Sequence, residues 1–200
     1  MVKHIKPPYL PYDDIRPKAS QFLESHNPER IIPVPIEDIV EKDLGIFISV
    51  IPDLELLHGI DSFIEMDGKT LSIDEGVFGF RPRCRFSYAH EIGHLSLHFG
   101  NAPFSTTEEF VEYRVNLDKK GDYWFEIQAY NFAGLILVPP DELHDYFCEG
   151  IEISAERGFD AYESPDKFLE RILPWLAKRF DVTEHVIKKR IGFDKLWEVI

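Results

Sequence analysis

Cysteine is nearly missing from this 200-residue chain, which has only Cys84 and Cys148. Two thiols so far apart make no disulfide framework, which fits a reducing compartment. Cys84 stands six residues before His90; it reads as an inert structural thiol rather than a redox sensor or a metal-capping thiolate. Basic charge is scarce too. Lys and Arg number 22 against 36 Asp and Glu, a formal net charge of −14, which argues against a general affinity for phosphate backbones, since that needs basic patches to release counterions. A basic partner or substrate suits such a surface better, although acidity by itself also keeps a chain soluble. Long apolar runs are absent. FAGLILV, from Phe132 to Val138, is far short of the ~20 residues that span a bilayer, and the opening MVKHIKPPYLPYDD lacks the apolar stretch of a signal peptide. These absences lead to the expectation of a soluble, cytoplasmic protein. There is no internal repeat, coiled-coil heptad or low-complexity tract.

What is present is ample material for one core: 44% of residues are hydrophobic, and 16 are Phe. The chemistry concentrates between Arg83 and Phe99, RCRFSYAHEIGHLSLHF, where His90, Glu91 and His94 form a His-Glu-x-x-His pattern. On a helix, residues four apart project from one face, so both imidazoles can reach a single zinc ion, with Glu91 beside it as general base to a water rather than as a ligand. With eight His and 20 Glu in the chain, chance alone yields this pattern in roughly three such chains per hundred, so context has to carry it. Tyr88, Ile92, Leu95 and Phe99 make an apolar stripe on the opposite side, giving the helix a core face and a site face. Gly93 costs about 1 kcal/mol in a helix interior, which implies that another backbone packs closely there.

A second helix is predicted over Asp122–Val138, with Glu126, Ala129, Tyr130, Ala133 and Leu137 on one face. Its alanines permit close approach, and Glu126 would then bring a carboxylate to the metal as third ligand. His98 is the competing choice; three histidines at this spacing along one helix spread too far for one small tetrahedral ion. The metzincin variant is set aside, because it requires Gly in place of Leu97 and His in place of Gly100. Tyr130, one turn after Glu126, is the nearest second donor for a developing oxyanion.

Around these two helices the pattern reads as α+β. Residues 1–12, with three prolines and two tyrosines, suit an extended arm. A helix opens at Asp13 or Asp14 and runs to His26, and IEDIVEKDLG forms a short helix closed by Gly45. Strands are predicted over Ile46–Ile51, His58–Met66 and Lys69–Ile73, the last two joined by an Asp67-Gly68 turn. Pro82 suits the first turn of the site helix. Arg81, Arg83 and Arg85 read as solvated charges, or else as a grip for a substrate carboxylate or carbonyl. Residues 101–121 hold a short helical stretch after the possible N-cap Thr106 and are expected to form a lid. Pro139-Pro140 ends the Glu126 helix. From Asp166 onward, LAKRFDVTEHVIKKRI has helix-turn-helix spacing with its turn at Asp181. Residues 166–200 hold eight basic against six acidic residues, a poor balance for DNA, and packing on the core is expected instead. The division is an arm over 1–12, a peptidase domain over 13–160 and a C-terminal helical segment over 161–200.

RFSYAHEIGHLSLH, followed by EIQAYNFAGLILVP, resembles the ImmA/IrrE family of zinc metallopeptidases, which pair a His-Glu-x-x-His helix with a Glu-x-x-Ala helix. The likeness takes in the PVPIEDIVEKDLGIFI and LAKRFDVTEHVIKKRI segments as well. It implies a zincin-like α+β fold with a small antiparallel or mixed sheet beside the site helix, whose edge holds an extended substrate. It implies one zinc ion held by His90, His94 and Glu126, with Glu91 as the catalytic glutamate. The expected partner is a helix-turn-helix repressor or antitoxin, cut to switch on a stress or mobile-element response. Tyr130 departs from the family, where Asn is common, and residues 101–121 are longer than usual. A reading from another class is a non-catalytic zinc-containing regulator that binds DNA or a protein through its C-terminal helices.

Overall fold

The computed structural model describes residues 9–65, 68–99 and 119–199. The first eight residues of the predicted arm, the predicted lid up to residue 118 and Asp67 of the predicted turn lie outside them. Helix α1 spans Tyr12–His26, α2 spans Ile36–Asp38 and winds on as a π-helical turn over Ile39–Asp43, and strand β1 spans Phe47–Ile51. Helix α3 covers Leu54–His58, β2 Ser62–Ile64, β3 Thr70–Asp74 and α4 Glu75–Phe78. The site helix α5 is Arg81–His94, extended by a π-helical turn over Leu95–Phe99, and α6 is Lys119–Leu137. Helices α7 (Pro140–Glu156), α8 (Pro165–Phe180), α9 (Glu184–Phe193) and α10 (Leu196–Val199) follow.

The fold is α+β and zincin-like. Its three strands form one mixed sheet in the order β1-β3-β2, parallel between β1 and β3 and antiparallel between β2 and β3. The central strand is the buried one: Leu71, Ser72, Ile73 and Asp74 are all inside. Of the predicted strands, Ile46–Ile51 and Lys69–Ile73 hold to within a residue at each end, whereas of His58–Met66 only Ser62–Ile64 is strand: His58 closes α3, and 59–61 and Glu65 lie outside β2. Asp74 ties the end of the sheet together. Its carboxylate accepts from the backbone N–H of Glu55 at 3.0 Å and caps α4 through Gly76 N–H at 2.8 Å, and the Glu55 bond foremost holds its pKa below the ordinary carboxylate value.

Helix α1 begins at Tyr12 with Pro11 before it rather than with an Asp cap; it lies along α6, where Phe22 meets Phe132 edge-on at 5.8 Å. Tyr9 packs edge-on against Trp124, 4.9 Å away. Gly45 takes the left-handed conformation just past the end of the π turn, φ 64°, and Pro82 lies in the first turn of α5. Proline ends α6 at its predicted boundary. The core is continuous from Ile15 and Ile36 through Tyr88, Ala89 and Ile92 to Phe132, Ile136, Phe147 and Phe180.

Candidate metal centre

Helix α5 delivers two imidazoles to one point. His90 Nε2 and His94 Nε2 lie 3.0 Å apart, a separation at which two bare lone pairs repel unless a cation or proton lies between them. Helix α6 brings a carboxylate to the same place: Glu126 Oε2 is 3.1 Å from His90 Nε2, and Oε1 is 3.6 Å from His94 Nε2. One donor atom from each of the three falls within 4.8 Å of the others, so the set fits a divalent metal. Two nitrogens and a carboxylate oxygen form the donor set of a catalytic zinc with one position left for water.

The convergence depends on how closely the helices approach. A Cβ on Gly93 would lie 2.9 Å from the carbonyl oxygen and 3.0 Å from the Cα of Ala129. The close backbone that the sequence required at Gly93 is therefore α6, one turn after Glu126. Tyr88 and Ile92 turn to the core, and Ala129, Ala133 and Leu137 are buried in it as well.

Glu91 turns the other way, toward the sheet. It is 4% exposed, and its carboxylate accepts from Ser62 Oγ at 2.7 Å and from the Ile64 N–H at 3.1 Å. On either side of β2 the Asp61 carbonyl and the Glu65 N–H are engaged with β3. By alternation the main-chain groups of Ser62 and Ile64 face outward into the cleft, where Glu91 meets one of them.

A further layer stands behind His94. Its Nδ1 is 3.1 Å from His98 Nδ1, and His98 Nε2 is 3.1 Å from Gln128 Oε1. The Phe125 ring lies over both imidazoles, 3.9 Å from His98 and 5.0 Å from His94. Burial, foremost, pushes His98 down to about 3 and His94 below its ordinary value. Both rings are thus neutral at neutral pH, the form in which imidazole binds metal. His98 stands beside the donor set rather than within it.

Tyr130 lines the cleft with its ring 4.7 Å from Phe86. Burial raises its pKa, which keeps the phenol a donor. The cleft encloses about 510 Å³. Thr183 and Val186, at the start of α9, close one side of it. Of the three arginines of α5, Arg81 is solvated, Arg83 is part-exposed at the cleft wall, and Arg85 alone is buried. Arg83 is paired with Asp61 at 2.8 Å and Glu55 at 3.0 Å, Arg81 with Asp181 at 2.7 Å. Arg85, only 1% exposed, is held by Glu37, the Val34 carbonyl and the Asp181 carbonyl.

Sequence reading missed Ser62, Gln128, Thr183 and Val186. Gln128 alone left a trace, an amide in the otherwise apolar face of a buried helix two residues after Glu126. The others reach the cleft only through tertiary contact.

A His-Glu-x-x-His helix crossed by a second helix bearing a glutamate, with an edge strand alongside, defines the zincin-like metallopeptidase class. The sequence matches the IrrE N-terminal-like domain (Peptidase_M78) over residues 81–192, more than half of the chain, and the chain belongs to that family. Among solved structures, a Mycobacterium tuberculosis transcriptional regulator is similar, with a TM-score of 0.54 and 16% identity. That likeness is one of fold. It covers 90% of this chain and 46% of that one, so this chain spans less than half the length of that protein. Among curated proteins none matches the sequence. Among the described residues, no helix is long and apolar enough to cross a membrane.

Proposed function

We propose that this chain is a zinc-dependent endopeptidase acting in the cytoplasm on a protein substrate. The observation that carries the reading is the convergence of His90 Nε2, His94 Nε2 and the Glu126 carboxylate, with the separate carboxylate of Glu91 in the same cleft. When bound there, zinc supplies Lewis acidity, polarising a carbonyl and bringing the pKa of water toward about 7. Glu91 accepts the proton of the attacking water and returns it to the leaving amine. Ser62 and the Ile64 N–H hold that carboxylate in place. Tyr130 donates to the oxyanion as it develops. The outward edge of β2 receives the substrate as an added strand through the main-chain groups that Glu91 leaves available, those of Ser62 and the Ile64 carbonyl, so main-chain pairing supplies affinity without demanding a particular sequence.

The substrate we favour is a basic helix-turn-helix repressor or antitoxin, complementary to a chain of formal charge −14. The similar M. tuberculosis protein is named a transcriptional regulator, which supports a link to transcription. It equally favours a non-catalytic regulator that binds DNA through its C-terminal helices. Against that reading, Arg190 of the basic trio Lys188-Lys189-Arg190 is buried and paired with Asp194 at 2.7 Å.

Glu91→Gln separates the two. It should keep zinc bound and abolish cleavage, a loss of at least about 10²-fold for a general base. The assay incubates metal-loaded protein with the product of the neighbouring gene, with and without chelator. Full biological activity in Glu91→Gln would end the peptidase reading.

A further inference from the structure

Two buried side chains that belong neither to the donor set nor to the substrate cleft connect to the site in a fixed polarity. Gln128 is 1% exposed and His98 7% exposed. They come from different elements, His98 from the π-helical turn that ends α5 and Gln128 from α6. π turns concentrate at functional sites. A neutral imidazole has one N–H donor and one lone-pair acceptor, so a single fixed partner decides both of its nitrogens.

At 3.1 Å, Gln128 Oε1 can only accept, so His98 Nε2 carries the proton and His98 Nδ1 is the acceptor. His98 Nδ1 is 3.1 Å from His94 Nδ1; with no proton of its own it requires one on His94 Nδ1. The lone pair of His94 is then left on Nε2, the atom that faces His90 and Glu126. Each of the three groups thus sets the next. The ring of Phe125, stacked at 23° on His98 and 28° on His94, holds both planes.

We infer that His98 and Gln128 are positioning residues that fix His94 as its Nδ1–H tautomer and so present a bare Nε2 to the metal. A carboxylate is the usual second partner of a metal-bound histidine. Here a neutral imidazole and an amide fill that role. Gln128 and Glu126 lie two residues apart on α6, so one helix supplies both a ligand and the group that orients another. The inference rests on the reading that His90, His94 and Glu126 hold a divalent cation, and the test distinguishes one from the other.

The test uses the full chain with Zn²⁺ and Co²⁺ as probes. Long-range ¹H–¹⁵N spectra of the metal-free protein read each histidine tautomer directly. His94 should appear protonated on Nδ1 and His98 on Nε2. Zn²⁺ affinity is then measured by competition with a chromophoric chelator, alongside the visible absorption of the Co²⁺ form, for wild type, Gln128→Leu, His98→Leu and Gln128→Glu. The two leucine variants should bind Zn²⁺ about 10–100-fold more weakly, as expected when a partner behind a ligand is lost, with an altered Co²⁺ spectrum. Gln128→Glu keeps an acceptor oxygen at the same position. It should restore affinity to the wild-type level or above, a rescue that a purely packing role does not give. Wild-type affinity in Gln128→Leu, or His94 protonated on Nε2 in the wild type, overturns the inference and leaves the metal site standing. Failure of the wild type to bind either ion overturns both.

Discussion

Around His94 the charge is arranged unevenly: carboxylates of Glu126 and Glu91 lie on its cleft side, while neutral His98 and Phe125 lie behind it. The imidazole is 4% exposed, and burial outweighs the help that the Glu126 carboxylate gives to protonation. His98 follows the same logic more strongly, with burial as the main cause of a value near 3. Both folded-state values lie below the ordinary value of 6.5, so below that pH the unfolded chain binds protons that the native chain refuses. The stability these rings allow is complete above about pH 6.5 and is lost as pH falls from there toward the folded values. In zinc-depleted protein the loss should reach about 1.4 kcal/mol per pH unit for each histidine well below 6.5. Urea midpoints of chelator-treated protein at pH 7.5, 6.5 and 5.5 check this. Wild type should fall steadily across the lower interval and His98→Asn should fall about half as steeply; a flat wild-type profile contradicts the assignment of neutral buried rings.

At the scale of elements, the contact between α5 and α6 decides whether the three donors meet. The Ala129 carbonyl and Cα occupy the space of a Gly93 side chain, and neither is the flexible end of a side chain that can swing aside. Gly93→Ala must therefore push the backbones of α5 and α6 away from each other. The gain in helix propensity, about 1 kcal/mol, is smaller than the ~1–3 kcal/mol typical of overpacking. We expect a net loss of stability of about 1 kcal/mol and a larger proportional loss of Zn²⁺ affinity, because Glu126 lies one turn from the contact. Thermal denaturation with and without Zn²⁺ reads both, and a variant that gains stability and binds Zn²⁺ normally contradicts the close-contact account. The same contact explains what the sequence made legible. Helical spacing is a local property, so His90, Glu91 and His94 could be read from five residues, and a glycine beside two alanine-bearing turns announced the crossing that brings Glu126. Ser62 carried no such sign, because its role arises from strand β2 lying against α5, a register set by pairing with β3. Helix α3 escaped notice for a related reason. Leu56 and Leu57 are 81% and 70% exposed, so its apolar residues do not mark a buried face with helical spacing. Arg85 alone among the arginines of α5 departs from a solvated charge, because burial of its guanidinium depends on carbonyls and a carboxylate from Val34, Glu37 and Asp181 far along the chain.

Across the whole molecule, the C-terminal helices help shape the cleft as well as cover the core. Thr183 and Val186 at the head of α9 line it, and the position of that head is fixed further down the same helix. Arg190 donates to the Val138 carbonyl beyond the end of α6 at 3.2 Å, contacts the Tyr12 hydroxyl of α1, and pairs with Asp194 at 2.7 Å. Asp194 in turn holds Arg16 of α1 at 2.8 Å. One buried ion pair thus joins the first helix, the ligand-bearing helix and α9. Burial lowers the Arg190 pKa to about 10, still far above neutrality, so the guanidinium remains charged and must stay paired. Removing one member of such a pair costs more than the pair is worth, because the other charge is left desolvated. Arg190→Met should therefore destabilise the chain by about 3 kcal/mol, somewhat relieved by the partial hold of Arg16 on Asp194. Arg190→Met with Asp194→Asn should recover much of the loss, since it removes both charges. Because Thr183 and Val186 are carried by the same helix, the single variant should also open the cleft: protease nicking within residues 181–199 should accelerate, and the KM for a cleaved protein should rise more than kcat falls. Denaturant unfolding, limited proteolysis and steady-state kinetics on the two variants check the claim, and equal stability of Arg190→Met and wild type would show that α9 is held by its apolar face alone.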